Sequence, residues 1–119
     1  MLNHVLYVKI AVASEGDRGL DDIVSTVFGK ARKFTIIEVV DDQIKEVKTI
    51  ENPGASYRYG SGPIAVKSLV DLGVDAVIAS EFGPSVTALF EERGVKMFKV
   101  RSGIKVSEAL SEFLSGERG

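Results

Sequence analysis

Residues 75–100, DAVIASEFGPSVTALFEERGVKMFKV, predict a strand, a helix and a second strand in succession. Ala76–Ala79 is an unbroken apolar run, which is typical of a strand covered on both faces. Pro84 suits the first position of a helix because its missing N–H would have no partner there. Gly94 supplies the left-handed residue that ends such a helix, and Val95 opens the next strand. A unit of this length closes as a right-handed parallel crossover.

The same Gly-Pro and Gly-Val pairs occur once more, just upstream. Gly62-Pro63 and Gly73-Val74, nine residues apart, recur 21 residues later as Gly83-Pro84 and Gly94-Val95. We interpret these as two consecutive loop–helix–strand units. Because a repeat solenoid needs about three copies to bury a core, the match is better explained by Gly and Pro marking the ends of two similar helices.

The rest of the chain predicts three further strands and a last helix. In chain order these are a strand at residues 5–13, a helical turn at 21–27, strands at 33–40 and 44–50 joined by a tight turn at 41–43, and a helix at 107–114. Ser107 is the predicted N-cap of the last helix and Gly116 its stop. The element order β β β α β α β α predicts an α/β fold, with one domain over residues 1–119.

We predict a five-stranded mixed sheet of order 3-2-1-4-5 with helices on both faces. The charged residues Lys45, Glu46 and Lys48 place the third strand at an exposed edge. The order reverses between the first and fourth strands, and open α/β sheets bind ligands at such a switch point, outside the carboxyl ends of the strands. The candidate ligand-binding residues there are Ser14, Glu15, Gly16, Phe28, Gly29, Ser61, Gly62, Glu81, Phe82 and Gly83.

The residue types at this edge favour binding an anion over catalysis. Small residues precede both predicted helices, where free N–H groups and the helix dipole attract negative charge. The chain has no cysteine and one histidine, His4, which lies outside the predicted site. Thiolate nucleophiles, cysteine-ligated zinc and clusters held by the chain's own thiolates are therefore excluded. The serines near the site have no evident base, so we predict that the protein is not an enzyme.

Two other interpretations of the site remain weaker. Gly60, Gly62 and Ala65, followed by Glu81, have the spacing of a dinucleotide fingerprint, but the motif should follow its strand directly, and about ten loop residues intervene. Glu15 and Glu81 could hold a divalent ion across the switch point. Solvated loop carboxylates are the simpler explanation for that pair.

Charge and hydropathy exclude two classes of partner. The formal net charge is −2, without a polybasic surface, so we expect no nucleic-acid partner. No apolar run approaches the roughly 18 residues of a membrane span, so we expect no membrane partner. The apolar start of the chain carries Lys9 and lacks a basic leader, so we interpret it as a strand and expect a cytoplasmic protein.

Five motifs together resemble the dinitrogenase iron–molybdenum cofactor biosynthesis proteins, the NifX- and NifY-like group. They are KIAVAS at residues 9–14, VSTVFGKAR at 24–32, ENP at 51–53, GSGP at 60–63 and GVDAVIASEFGP at 73–84. The resemblance spans the whole chain and implies an RNase H-like fold. It also implies a non-catalytic accessory role in nitrogen fixation, in which the protein binds or carries the iron–molybdenum cofactor or its iron–sulfur precursor, with a possible protein partner in cofactor assembly.

The chain departs from the family pattern at three places. Val27 and Tyr59 stand where family members commonly have histidine, and Glu81 with Phe82 replaces a loop richer in glycine. A cluster would therefore be held as an anion, by backbone N–H groups and by shape. The residues we expect in the pocket are Phe28, Gly29, Ser61, Gly62 and Gly83, with Phe28 and Phe82 as walls.

Two alternative functions use the same surfaces. The first is a regulator or enzyme that binds a nucleotide or a phosphorylated small molecule at the same edge. The second is a protein-interaction module without a ligand, which would use the exposed hairpin edge or the top face.

Overall fold

The predicted alternation of strands and helices is present in the computed structural model, which describes residues 6–118. The elements are β1 Tyr7–Ser14, β2 Lys33–Val40, β3 Gln43–Glu51, α1 Ser61–Asp71, β4 Ala76–Ala79, α2 Pro84–Glu92, β5 Lys96–Lys99 and α3 Val106–Arg118, with short 3-10 turns at Gly19–Asp21 and Phe28–Lys30. His4 and Val5, the predicted start of the first strand, lie outside the described residues. No helix in residues 6–118 combines the length and the apolar character needed to cross a membrane.

The sheet has the predicted order, β3-β2-β1-β4-β5. β1 pairs antiparallel with β2 and parallel with β4, while β3 pairs antiparallel with β2 and β5 parallel with β4. Asp41 and Asp42 both have positive φ values, of 50° and 67°. Two such residues make the kind of turn whose twist matches a hairpin, so this pair sets the β2–β3 register.

Helices cover both faces of the sheet, as predicted. On one face α1 and α2 bury Ala65, Leu69 and Phe90 against the sheet, and on the other α3 buries Val106 and Phe113. The strand residues Ile10–Ala13 and Ala76–Ala79 are almost fully buried because they have a helix layer on each side. Burial on both faces of the sheet explains why these stretches of the sequence are apolar at every position.

Three predicted features of the helices and turns are wrong. The helical turn expected at residues 21–27 is a 3-10 turn at Gly19–Asp21, followed by extended chain in which Val24 bridges to Ser14. α3 begins one residue before Ser107, so this serine is not its N-cap. α3 also continues through Gly116, where a glycine is tolerated near the end of a helix at little cost.

The two Gly-Pro helices end alike but begin differently. Gly73 and Gly94 both follow their helices with positive φ values, of 77° and 69°. α2 begins at Pro84 after an extended Gly83, whereas α1 begins at Ser61, two residues before Pro63. Proline is tolerated at both positions because the first four N–H groups of a helix have no intrahelical acceptor. The same Gly-Pro pair therefore does not give the same geometry at the two helix starts.

Residues 15–32, between β1 and β2, cross the top edge of the sheet from one face to the other. Val24 packs in the core on the α3 face, whereas Phe28 packs in the core on the α1–α2 face. The Val24 amide donates to the Ile104 carbonyl at 2.9 Å, and the Phe28 amide donates to the Glu81 carbonyl at 3.0 Å. This segment therefore fills the switch point between β1 and β4 and moves the open space towards the helix N-termini.

Candidate functional site

A cavity of about 350 Å³ lies between the Phe28–Lys30 turn and the N-termini of α1 and α2. Its volume is within the range of small-molecule sites, about 300–1,000 Å³. The lining residues are Val27, Gly29, Lys30, Gly60, Ser61, Gly62, Pro63, Gly83, Ser85 and Val86. Gly29, Ser61, Gly62 and Gly83 are the predicted residues that the structure brings together here.

The cavity is surrounded by hydrogen-bond donors. The main-chain N–H groups of Gly29, Ser61, Gly62, Ser85 and Val86 have no hydrogen-bond acceptor anywhere in residues 6–118. Four of them belong to the first turns of α1 and α2, where N–H groups lack intrahelical partners and the helix dipole is positive. The Lys30 ammonium and two serine hydroxyls complete the polar lining. This donor set fits an anion.

Close glycine contacts bring these elements together. A Cβ on Gly62 would lie 2.7 Å from Cγ2 of Val86, and a Cβ on Gly54 would lie 2.4 Å from the Ser61 carbonyl oxygen. Both distances are shorter than real Cβ contacts, so a larger residue at Gly54 would displace the backbone at Ser61, and one at Gly62 would displace the Val86 side chain or its helix. Gly83 differs, because no atom lies within 4 Å of the position its Cβ would take.

Asn52 ties the Phe28–Lys30 turn to the loop before α1. Its side-chain amide is buried and donates to the carbonyls of Gly29 at 3.2 Å and Ala31 at 2.8 Å. Its Oδ1 accepts from the Gly54 amide at 2.9 Å. In the sequence analysis Asn52 appears only within the ENP motif at residues 51–53. Its position in an Asn-Pro-Gly turn was the signal available, since such asparagines bond to nearby backbone.

Phe28 and Phe82 lie beneath the cavity rather than in its lining. Phe28 is fully buried, with ring centroids at 5.2 Å from Phe34, 5.3 Å from Phe90 and 5.8 Å from Phe82. Phe82 is half-buried and stacks on Phe28. Since Phe28 is the first residue of the turn, its burial anchors the wall that carries Gly29 and Lys30.

The other predicted residues lie beside the cavity. Ser14 is buried and its hydroxyl bonds with that of Thr35 at 2.9 Å. The Glu15 carboxylate accepts a hydrogen bond from the Ser25 hydroxyl. Glu81 is exposed and contributes its main-chain carbonyl to Phe28. Six lining residues were not in the predicted set: Val27, Lys30, Gly60, Pro63, Ser85 and Val86.

Asp22 organises the loop that follows β1. Its buried carboxylate accepts from the amides of Gly16 at 3.1 Å, Arg18 at 2.9 Å and Ile23 at 2.8 Å. Burial by itself would raise the pKa of Asp22, but these backbone donors outweigh it and hold the pKa below its ordinary value of 3.8. The predicted residue Gly16 is therefore a donor to a structural carboxylate.

A second, charged cavity of about 720 Å³ adjoins the first, and Lys30 lines both. Glu15 and Gly16 are in its wall. Lys33 crosses it and contacts Glu51 at 2.9 Å and Asp17 at 3.4 Å. The hydrogen bond to Glu51, with support from Asp17, raises the pKa of Lys33 above its ordinary value.

The donor set distinguishes an anion from a bare metal ion. Within the described residues no group of three or more His, Cys, Asp or Glu side chains is placed to hold a metal. The ten residues lining the smaller cavity include neither an imidazole nor a thiol. The residues present therefore fit a preformed cluster that carries its own ligands and a negative charge.

Comparison with known proteins agrees with the sequence motifs. A 113-residue match to an uncharacterised protein of Methanocaldococcus jannaschii is 28% identical and covers 95% of this chain and 91% of that protein. The apo form of the orange protein from Desulfovibrio gigas has a TM-score of 0.82 at 27% identity, covering 92% of this chain and 88% of that one. A Thermotoga protein provisionally assigned to NifB has a TM-score of 0.74 at 33% identity, covering 92% and 89%.

The family model described as dinitrogenase iron–molybdenum cofactor matches residues 8–116. This range includes every element from β2 to β5, most of β1 and α3, and the whole cavity lining. The chain therefore belongs to the dinitrogenase iron–molybdenum cofactor family, as its motifs predicted.

Proposed function

We propose that this accessory protein of iron–molybdenum cofactor biosynthesis binds a preformed anionic metal–sulfur cluster, either the cofactor or its iron–sulfur precursor, without catalysing a reaction. The binding site is the cavity between the Phe28–Lys30 turn and the N-termini of α1 and α2. The observation that carries the proposal is the set of five main-chain N–H groups without acceptors around one cavity.

Electrostatics favour a charged cargo at this place. Each helix N-terminus contributes the equivalent of about half a positive elementary charge, and two helices begin here. Lys30 adds a full charge at the same cavity. N–H donors bind ionised acceptors about twice as strongly as neutral ones, so outer sulfide or oxide atoms of an anionic cluster are suitable acceptors.

The same chemistry explains a carrier role. Binding through N–H groups forms no bond between a side chain and a metal, so a cluster could be released intact to a protein partner in cofactor assembly. Ser61 and Ser85 are the hydroxyl groups of the lining, and no carboxylate or imidazole lines the cavity with them to act as a base. This supports a non-catalytic role.

Metal retention tests the proposal directly. The purified protein is incubated anaerobically with isolated iron–molybdenum cofactor and separated by size, and iron and molybdenum are measured in the protein peak. We expect stoichiometric metal for the wild type. Gly83→Leu should lose it, because a side chain at this position meets no protein atom and enters the space beside α2.

Ser102→Leu is the matched control, because Ser102 is exposed in another loop at the same edge and outside the cavity. This variant should retain metal as the wild type does. A metal-free peak for the wild type would show that the proposal is wrong.

A phosphate-containing ligand is the second candidate, because the same N–H groups fit phosphate oxygens. Tyr59, 83% exposed, directly precedes the cavity residue Gly60 and offers a surface on which a base could stack. A rise in melting temperature with nucleotides, but not with the iron–molybdenum cofactor, would favour this candidate.

A further inference from the structure

The Lys30 side chain joins the cavity to the exposed loop before α1. Its Nζ donates to the Tyr57 carbonyl at 2.9 Å. Lys30 itself projects from a firmly held turn, since Phe28 is buried and Asn52 bonds the carbonyls of Gly29 and Ala31. The turn is therefore held by other contacts, whereas the loop depends on this hydrogen bond for its position.

Residues 55–59 have few other attachments. Ser56, Tyr57, Arg58 and Tyr59 are exposed, and the two main-chain hydrogen bonds that this segment makes both go to the adjacent turn at residues 52–54. Within residues 6–118, the bond from Lys30 is the only hydrogen bond that connects the segment to a distant part of the fold. A single exposed bond of this kind contributes little by itself, because ordering a lysine side chain costs entropy.

An anion in the cavity would change that balance. A lysine ammonium has three N–H donors, and the Tyr57 carbonyl uses one of them. Since Lys30 also lines the cavity, the remaining donors are available to a bound anion. The entropic cost of ordering the side chain is then shared between two interactions, so each strengthens the other.

We propose that Lys30 binds the cargo anion and the Tyr57 carbonyl together, so that occupancy of the cavity fastens residues 55–59 to the body of the protein. This inference rests on the proposed function, because it needs an anion in the cavity. It makes Lys30 a sensor of occupancy as well as a ligand. Loading would fix the exposed rings of Tyr57 and Tyr59 and give a partner a surface that differs between the empty and loaded protein.

Limited trypsin digestion tests this coupling, because Arg58 lies within the segment. Cleavage of the Arg58–Tyr59 bond is followed anaerobically by mass spectrometry, with and without isolated iron–molybdenum cofactor, and normalised to the Arg101–Ser102 bond in another exposed loop. Metal in the protein peak is measured on the same samples. We expect the cofactor to slow cleavage after Arg58 by roughly three- to tenfold in the wild type, the effect of one charge-assisted hydrogen bond at a partly exposed site.

Without cofactor, Lys30→Met should be cleaved after Arg58 at about the wild-type rate, because the single bond to Tyr57 contributes little by itself. Added cofactor should not protect it at concentrations where metal is bound. Lys30→Arg, which keeps several donors, should restore protection. Lys67→Met is the matched control, because Lys67 is exposed on α1, pairs with Asp71 and does not line the cavity. It should behave as the wild type.

The outcomes separate the two proposals. Bound metal with unchanged cleavage after Arg58, or equal protection of Lys30→Met, would overturn the coupling and leave the proposed function standing. Absence of metal from the wild-type peak would overturn both.

Discussion

Gly29 and Gly62 meet backbone to backbone at the cavity: a methyl group on Gly29 would lie 3.1 Å from the Gly62 Cα and 3.2 Å from its amide nitrogen. Neither partner has a side chain that could rotate away, so relief requires the Phe28–Lys30 turn to move from α1 by a few tenths of an ångström. The spacing of two walls of the cavity therefore depends on the absence of one methyl group.

Gly29→Ala should lower the free energy of unfolding by about 1–2 kcal/mol, because a tightly packed backbone contact must open. Gly83→Ala is the matched control: its added Cβ meets no atom within 4 Å, and its φ of −68° suits any residue. Urea unfolding measures both variants. Equal stability of the two would contradict the backbone contact between Gly29 and Gly62.

Asn52→Ala should destabilise the protein by about 2–3 kcal/mol, because the buried carbonyls of Gly29 and Ala31 would lose their shared donor. Asn52→Asp keeps an acceptor for the Gly54 amide but removes the donor, so it should be no more stable than the alanine variant. Gln43→Ala, at an exposed position of β3, is the control and should change stability little. These values can be read from chemical denaturation at neutral pH.

Asp22→Asn should reduce stability at neutral pH by about 2 kcal/mol, since the three backbone amides would lose a charged acceptor. The pKa of Asp22 is lower in the folded protein, so its contribution is complete above its ordinary value of 3.8 and is lost as pH falls through the folded pKa. The stability difference between the wild type and this variant should therefore shrink below about pH 4. Asp21→Asn, at an exposed neighbour, supplies the baseline. A difference that stays constant down to acid pH would refute the assignment.

Phe28→Ala should cost about 3–5 kcal/mol, because Phe28 is fully buried among three other rings. Phe82→Ala should cost clearly less, since Phe82 is half-buried and contacts the cluster from one side. Thermal unfolding of the two variants gives the comparison. A larger effect at Phe82 would mean that the turn is not anchored by Phe28.

The strands were predictable because the residues of each strand themselves show that it is buried. Lys33–Val40 and Ala76–Ala79 agree residue for residue with the sequence prediction, since β-branched and apolar runs report a buried sheet directly. The sheet order followed from one charged edge strand and two crossovers. The ends of α1 and α2 at Gly73 and Gly94 were also predictable, because the left-handed position after a helix is usually occupied by glycine.

The site was predictable only in part, because it depends on contacts between distant segments. Gly29 and Gly62 were both predicted at the same edge of the sheet, but no local pattern shows that their backbones touch. Lys30 was not among the predicted site residues, and its bond to Tyr57 joins positions 27 residues apart in the chain. The contacts of Asn52 are also between distant segments, because its two acceptors are 21 and 23 residues away in the chain.

The first turns of α1 and α2 have a consequence for how this protein should be mutated. A main-chain donor survives every substitution except proline, so an alanine scan would leave the N–H groups of Ser85 and Val86 in place and could not measure what they contribute. Because the donors belong to the main chain, the side chains around them can change in sequence without loss of the N–H groups. Replacing single peptide bonds by esters, which substitutes oxygen for N–H at chosen positions, is the experiment that would count these donors one at a time.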